Sequence, residues 1–294
     1  SNKNNKIKDL LNTNSKKSSV NKNTSLSAMI SPSNSNSNLI NNKRVDISKD
    51  ITPKLLKEIN RGKWVEKKEG IEYINSLIDK ANNKISKNGL QELFDLIKEK
   101  LNDGNINLVK MILQLLSRLI LSLEGQIKFY SKNLIYPLLL KLQDKNKQIR
   151  DETLTCIENW IKMQNFDIFA VHIPQFLQSS ENFEIRNEML NLLNRKKDLI
   201  KSDYPKQFFS DLTKAFLACL QDRNSNIRSL AEELIKSFSN FIPREKYILE
   251  LKDIKRSISD SLYSVIDRLL PPSDQGNGEV NEQNGGIEDR KSVV

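Results

Sequence analysis

The side chains best able to do chemistry are few in this chain of 294 residues, which contains one histidine and two cysteines. His172, Cys156 and Cys219 do not have the spacing of zinc ligands, and no glycine-rich phosphate loop is present. His172 lies beside Pro174 in a helical pattern and is interpreted as structural. Both cysteines are flanked by apolar residues, which favours buried free thiols in a reducing compartment and leaves a disulfide open. We therefore predict no catalysis, no cofactor and no metal.

The remaining candidates are cations in short polar turns, where they could bind an acidic surface. Each of five turns contains at least one: Arg61, Lys63, Lys67 and Lys68; Lys110; Lys145, Lys147 and Arg150; Arg186; Arg223 and Arg228. Cations repeated at this spacing would form a basic ridge. For Lys63, Lys145, Lys147 and Arg223, a solvated surface charge is an equally good interpretation, and both stay open.

The turns recur because five copies of one helical unit follow each other along the chain. Each polar turn leads to an apolar anchor, and the anchors are spaced by 43, 41, 36 and 42 residues: Val65, Leu108, Ile149, Ile185 and Ile227. Residues 221–228 nearly repeat residues 143–150. Apolar residues over 227–238 recur at helical spacing, and no segment alternates like a strand. Repeats of about forty residues with helical patterning are typical of HEAT α-solenoids.

The predicted fold is therefore all-α, with five antiparallel HEAT-like helix pairs and a trailing C-terminal cap of one or two helices. The first helices are predicted over 52–60, 89–101, 126–142, 166–178 and 204–220. The second helices are predicted over 63–80, 106–123, 147–162, 183–197 and 225–240. Four prolines are interpreted as starts of first helices, where a missing N–H is tolerated: Pro53, Pro137, Pro174 and Pro205.

Composition divides the chain into three parts. Residues 1–45 are rich in Asn, Ser and Lys and predict a disordered linker, residues 46–270 predict the folded domain, and residues 271–294 predict a second linker. Residues 1–44 have a net charge of +7 and residues 271–294 of −3, which leaves +6 of the total +10 for the middle. That modest basic excess favours an acidic partner. The missing initiator methionine predicts a segment of a longer protein.

No secretory signal is visible, and the longest apolar run, about 111–123, is too short and too polar to predict a membrane span. Basic residues are not interleaved with aromatic side chains, so the pattern does not favour nucleic-acid binding.

Trp64 is the most informative single residue. Val65 occupies the apolar anchor position, so the neighbouring Trp64 is predicted to point to another face, exposed within a basic turn. Tryptophan and arginine are enriched at the energetic centres of protein interfaces. Trp160, in register with Ile157 and Ile161, is predicted to be in the core.

Two turns share an aspartate six residues before an arginine, Asp144 with Arg150 and Asp222 with Arg228. The aspartate can accept hydrogen bonds from free N–H groups at a helix start. The arginine can bridge to the aspartate of the next repeat. We predict such an inter-repeat ladder for Arg150 and Arg228 in preference to partner contact.

Several of these runs resemble the TOG domains of the chTOG class of microtubule polymerases, over about residues 46–269. Residues 63–71 (KWVEKKEGI) resemble the opening helix of these domains, and residues 101–105 (LNDGN) and 220–228 (LQDRNSNIR) resemble their second and fifth loops. The degenerate fourth turn, residues 181–190, and Asn159-Trp160 are most similar to the fourth TOG domain.

The resemblance implies a flat paddle that binds the tubulin heterodimer or the microtubule lattice through its intra-repeat loops. It places a tubulin contact on Trp64, a second-loop contact on Val109 and basic contacts near Lys147 and Arg228. Lys67 departs from the arginine usual in the family, which would weaken a bidentate contact. With the other loop cations, the predicted tubulin-binding residues are Trp64, Lys63, Lys67, Val109, Lys147, Arg150, Arg186, Arg223 and Arg228.

The resemblance also implies a monomeric, non-enzymatic domain within a multi-TOG chain that promotes microtubule growth and spindle organisation. It implies a cytoplasmic location on the cytoskeleton, at spindle poles or centrosomes and at plus ends, with no nucleic-acid or membrane partner. Flexible linkers would set the effective concentration between tubulin-holding domains. The alternative is a generic HEAT scaffold that does not bind tubulin.

Overall fold

Residues 43–179, 181–252 and 256–272 are described by a computed structural model, and they form a stack of helices. The predicted linkers 1–45 and 271–294 lie outside the described residues, except for positions 43–45 and 271–272. The helices are α1 Pro53–Arg61, α2 Trp64–Lys80, α3 Gln91–Lys100, α4 Ile106–Leu123, α5 Lys128–Leu140, α6 Lys147–Met163, α7 Asp167–Ala170, α8 Ile173–Ser179, α9 Phe183–Lys196, α10 Lys206–Leu220, α11 Ser225–Ser237, α12 Arg244–Leu251 and α13 Arg256–Leu269.

The helices form two rows, as a HEAT-like solenoid requires. The first helices α1, α3, α5, α8, α10 and α12 follow each other in one row, with α7 beside α5 and α8. The second helices α2, α4, α6, α9, α11 and α13 form the other row. Within it α4 packs on α2 and α6, α11 packs on α9 and α13, and Lys196 of α9 pairs with Glu158 of α6 at 2.6 Å. The all-α solenoid of five helix pairs is thus confirmed, and α12 and α13 continue both rows as the predicted cap.

The prolines follow the prediction in all but one case. Pro53 is the first residue of α1, Pro174 lies in the first turn of α8, and Pro205 directly precedes α10. Pro137, however, lies inside α5, near its C-terminal end, so its assignment as a helix start was wrong. The segment predicted as one helix over 166–178 is divided into α7 and α8 by a turn at Val171 and His172.

The core between the two rows consists mainly of leucine, isoleucine and phenylalanine, and Trp160 is fully buried in it, as predicted. The ring of Phe169 packs edge-on against it, with centroids 6.3 Å apart. Residues 106–143 contain a helical run long and apolar enough to cross a membrane by composition, with a mean hydropathy of 1.6, although the sequence pattern argued against any such span. The run is interrupted at Glu124, where φ is +50°, and 56% of the apolar window is buried inside the domain. Packing in the solenoid core therefore accounts for its apolar character.

The segment before α1 packs on the edge where successive helix pairs connect. The guanidinium of Arg44 donates to the carbonyls of Ile85 (3.2 Å) and Ser122 (3.0 Å) and pairs with the carboxylate of Glu124. Val45 forms an isolated parallel bridge with Ile85, and the described residues contain no strand. These contacts fix Arg44 and Val45 against the folded domain.

Gly70 allows α1 and α2 to approach closely. Addition of a single methyl group at this position is therefore predicted to lower the stability of the domain. A Cβ at Gly70 would lie 2.6 Å from Cγ1 of the buried Ile59. We expect Gly70→Ala to lower the free energy of unfolding by roughly 1–2 kcal/mol in urea titrations, because overpacking outweighs the better helix propensity of alanine. Gly104 has open space around its Cα, so Gly104→Ala is the control and should change stability by less than about 0.5 kcal/mol. Equal effects of the two changes would refute the close-approach explanation.

Candidate protein-binding edge

Five loops connect the first and second helix of each pair, and three of them contain the same aspartate–asparagine motif. Asp103, Asp144 and Asp222 accept a hydrogen bond through Oδ1 from the backbone N–H two residues later, at 2.8–2.9 Å. That later residue is Asn105, Asn146 or Asn224, and its own side chain caps the following helix. The cap is therefore the asparagine rather than the predicted aspartate. The aspartate instead fixes the loop that presents the cap.

The second carboxylate oxygen of each aspartate is neutralised by a cation. In the second and third pairs this is a lysine at the end of the first helix, Lys100 with Asp103 (3.7 Å) and Lys141 with Asp144 (3.2 Å). In the fifth pair Cys219 occupies the corresponding position. There Arg186 of the fourth pair reaches across and pairs with Asp222 at 2.7 Å.

This arrangement corrects the predicted ladder. Arg150 donates to the backbone carbonyls of Asp144 (2.8 Å) and Lys145 (3.2 Å), within its own loop. Arg228 makes the equivalent bonds to Asp222 (2.7 Å) and Arg223 (3.0 Å). Both arginines are structural, as predicted, but they do not bridge to the next repeat in the way proposed. The bridge between repeats is made by Arg186, because the lysine of the other loops is missing.

Alignment on the helix caps shows which residues face solvent on this edge. The first residue of each second helix follows its cap and points outward: Trp64, Ile106, Lys147, Phe183 and Ser225. Four of these five are large or charged. Ile106 and Phe183 are both exposed and were not among the predicted binding residues, because the spacing of the buried anchors does not show where each helix begins. The recurring asparagine before Ile106 and Phe183 was the signal that would have found them.

The same alignment corrects the first repeat. Leu108, Ile149, Ile185 and Ile227 are third in their helices and buried, whereas Val65 is second in α2 and 59% exposed. Val65 is therefore not an anchor, so the argument that placed Trp64 off the core was wrong. Trp64 is nevertheless 40% exposed, because it is first in its helix.

The turn that positions Trp64 is tightly fixed. Glu66 Oε2 accepts a hydrogen bond from the backbone N–H of Lys63 at 2.6 Å, which closes the first turn of α2. A Cβ at Gly62 would lie 2.3 Å from the carbonyl oxygen of Glu58, so the chain can pass from α1 to α2 here only with glycine. The indole is thus held on a short, defined turn.

The fourth residue of each second helix is buried or partly buried, so the predicted tubulin-binding residues differ in their accessibility to a partner. These residues are Lys67, Val109, Arg150, Arg186 and Arg228. Val109 is only 3% exposed and packs in the core, so its predicted contact with a partner is wrong. The other four are partly buried, and three of them are the arginines that hold the loops. On the second loop, Ile106 is the accessible apolar side chain.

Six exposed cations lie in or beside the loops: Arg61, Lys63, Lys68, Lys145, Lys147 and Arg223. Lys147 pairs with Asp151 one turn later at 2.7 Å, and both side chains are mostly exposed. An exposed pair of this kind contributes little to stability, so Lys147 can exchange this partner for another.

The five loops lie along one edge because neighbouring pairs are in register. Asn60 near the end of α1 donates to Glu99 near the end of α3 (3.1 Å), and Asn102 and Pro137 border one small cavity between the second and third pairs. The Asn182 side chain donates to the Gln143 carbonyl (3.4 Å), and Asn226 donates to Asn187 (3.0 Å). We call this row of loops, with Trp64, Ile106, Lys147 and Phe183, the loop edge.

The cysteines lie inside the domain, as expected from their apolar surroundings. Cys156 and Cys219 are free and buried, and Cys156 Sγ lies 3.0 Å from the carbonyl oxygen of Leu113. Burial raises the pKa of the Cys219 thiol to about 12, and the carboxylate of Asp222 adds to that effect. Burial also raises the pKa of Cys156. Both thiols are protonated at neutral pH and unsuited to nucleophilic chemistry.

His172 provides a pH prediction because it is the single histidine of the chain. It is half-buried in the turn between α7 and α8, and burial lowers its pKa below the usual value of 6.5. The unfolded chain therefore binds this proton at higher pH than the folded domain does. The resulting contribution to stability is present above about pH 6.5 and is lost as the pH falls through the folded pKa.

We expect the imidazole resonance of the folded chain to titrate below pH 6.5 in NMR, and near 6.5 in concentrated urea. His172→Gln should flatten the pH dependence of the unfolding midpoint between pH 7.5 and 5.5. A folded-state titration above 6.5 would show that burial does not dominate at this site.

Comparison with known proteins places this geometry in context. No family model matches the chain. Centrosomal protein 224 of Dictyostelium discoideum is 27% identical over 238 residues, which are 79% of this chain and 12% of that protein. A structure from work on tubulin recruitment and assembly by microtubule polymerases with TOG domain arrays superposes with a TM-score of 0.59 at 16% identity, covering 79% of this chain and 48% of the other. TOG3 of Drosophila melanogaster Mini spindles gives a TM-score of 0.52 at 13% identity, covering 74% and 93%.

The fold and the loop edge thus define a HEAT-type solenoid that presents one row of loops. Among such solenoids, its fold is that of a TOG domain. The chain matches only a small part of the Dictyostelium relative, because the 238 matched residues cover 12% of the length of that protein.

Proposed function

We propose that this domain binds tubulin through the loop edge and acts as one TOG module of a microtubule polymerase. The observation that carries the proposal is the exposed Trp64, held first in α2 at one end of a row of equivalent, partner-accessible positions. The likeness to structures of TOG domain arrays supports the same function. Tubulin supplies its own nucleotide chemistry, so this module needs no catalytic residue.

The proposed contacts differ along the edge. Trp64 and Ile106 form an apolar end with Lys63 beside it, Lys147 and Lys145 form a basic centre, and Phe183 and Arg223 complete the row. Apolar anchors within such a row contribute affinity, and rim cations contribute orientation and association rate. Arg150, Arg186 and Arg228 are proposed to act on binding by holding the loops in shape. Lys67 is only partly buried and is proposed to contact tubulin from the first turn of α2.

The proposed mechanism is tethered assembly. The chain spans a small part of its Dictyostelium relative, which fits a module within a longer array. One module would hold a soluble tubulin dimer while others hold the lattice, and the linkers would set the effective concentration between them. Placement as the fourth domain of an array is proposed from the pattern of residues 181–190 and from Asn159-Trp160. The names of the relatives and structural neighbours favour the microtubule cytoskeleton as the site of action, centrosome included.

The direct test is size-exclusion chromatography of the whole chain with purified tubulin at low salt. We expect co-elution of one chain with one tubulin dimer, weakened as salt is raised because the exposed cations are screened. An RNA of matched charge, run at the same salt, is the control and should elute separately. If the chain bound neither free tubulin nor polymerised microtubules, the proposal would be contradicted. The remaining interpretation would be a HEAT scaffold that binds another protein.

A further inference from the structure

A concave surface lies between α10 and α12, away from the loop edge. Its volume is about 280 Å³, and its lining includes Phe209, Phe241, Ile242 and Leu249. Phe209 and Phe241 stack with centroids 5.6 Å apart and planes inclined by 7°. Leu249 stands on the rim and is exposed. We call this surface the α10–α12 groove.

The rim of the α10–α12 groove is positively charged. Lys206 and Lys246 line it and are exposed, and neither forms an ion pair with another described residue within 4.0 Å. The carboxylate of Glu250 is engaged by Lys214 at 3.8 Å and by the hydroxyl of Ser210 at 3.3 Å. Among the described residues, the ammonium groups of Lys206 and Lys246 are therefore without an ion-pair partner. Glu250, the acidic residue of the lining, is already paired with Lys214.

From this geometry we infer that the α10–α12 groove binds an acidic peptide segment of a partner protein, with one large apolar side chain on the phenylalanine floor and carboxylates on Lys206 and Lys246. The volume lies just below the range of about 300–1,000 Å³ typical of small-molecule sites and suits a single side chain. The positive charges of Lys206 and Lys246 favour acidic residues on either side of that apolar side chain in the bound peptide. This inference is independent of tubulin binding.

The position of the groove allows both surfaces to be used together. The lining residues Lys206, Phe209, Ser210 and Thr213 belong to the first half of α10, whereas the fifth loop begins after its last residue, Leu220. A rise of about 1.5 Å per residue places Phe209 roughly 16 Å along the helix from Leu220. A peptide in the groove would therefore leave the loop edge free.

The test is selection of a random 12-residue display library against the whole chain, followed by fluorescence anisotropy with the synthetic selected peptides. We expect the peptides to share one Phe, Trp or Leu between Asp or Glu residues. Lys206→Glu/Lys246→Glu and, separately, Leu249→Asp should each weaken binding by about tenfold or more, with tubulin binding unchanged. These side chains are exposed, so circular dichroism should show an intact fold.

Three outcomes would overturn the inference. Selected peptides without acidic residues would contradict the charge argument. Equal binding by the double lysine variant would place the site elsewhere. Displacement of the peptides by a synthetic copy of residues 273–294, which contain five acidic and two basic side chains, would assign the groove to this chain itself instead of a partner.

Discussion

Trp64→Ala is expected to weaken tubulin binding about 30-fold while leaving the fold intact. The indole is 40% exposed, first in α2 and outside the hydrophobic core, so its loss should lower stability by no more than about 1 kcal/mol. An interface tryptophan that acts as an anchor typically contributes about 2 kcal/mol or more to binding, which corresponds to roughly a 30-fold change in Kd. Anisotropy with labelled tubulin measures the affinity, and urea unfolding measures the stability.

Phe129→Ala is the matched control for Trp64→Ala. Phe129 is also an exposed aromatic residue in the first turn of a helix, but α5 begins on the edge where successive pairs connect. Its ring is covered by the ammonium of Lys87, 3.6 Å from the centroid. Tubulin affinity should be unchanged in this variant. If both substitutions weakened binding equally, the loop edge would not be the binding surface. If Trp64→Ala unfolded the domain, the indole would be a structural residue.

Arg186→Met is expected to destabilise the domain by about 3 kcal/mol, the largest effect predicted for a single side chain outside the core. The Arg186–Asp222 pair is only 16% and 7% exposed. Removal of the arginine leaves the carboxylate buried without its cation, at the point where Asp222 also fixes the fifth loop. Denaturant unfolding of the whole chain measures the loss, and tubulin binding should weaken in parallel because the loop loses its support.

Lys147→Met is the matched control, since Lys147 and Asp151 are also 2.7 Å apart but 76% and 54% exposed. An exposed pair contributes between zero and about 1 kcal/mol, so this change should be nearly neutral for stability. A second variant tests the cause. Arg186→Met/Cys219→Lys places a lysine where Lys100 and Lys141 stand in the other loops, and should recover part of the lost stability. Equal destabilisation by Arg186→Met and Lys147→Met would show that burial of the pair is unimportant.

Local sequence rules explain why the helices could be predicted so closely. Apolar residues at helical spacing determine the buried stripe of each helix, and the polar Asp-x-Asn turns specify where the second helices begin. The predicted second helices 106–123 and 147–162 match α4 and α6 within one residue. Trp160 was predicted to be in the core for the same reason, because its position follows from the stripe it belongs to.

The errors arose where a residue's neighbours belong to another repeat or another helix. Val65 and Val109 are both apolar residues near a loop, yet one is exposed and the other buried. Their positions differ by two residues relative to the helix start, a register that the anchor alignment did not fix. Pro137 lies inside α5, although a proline inside a helix removes a backbone hydrogen bond, because tertiary packing overrides the local preference.

The sequence by itself determined the helical repeat and the polar turns that carry cations, since these depend on residues close together in the chain. Only the tertiary structure decided which of those side chains are accessible. It assigned Arg150 and Arg228 to their own loops, paired Asp222 with Arg186 of the preceding repeat, and exposed Ile106 and Phe183 in the same row of loops as Trp64. The physical reason is that burial and ion pairing depend on distances between repeats about forty residues apart, and no local pattern encodes those distances.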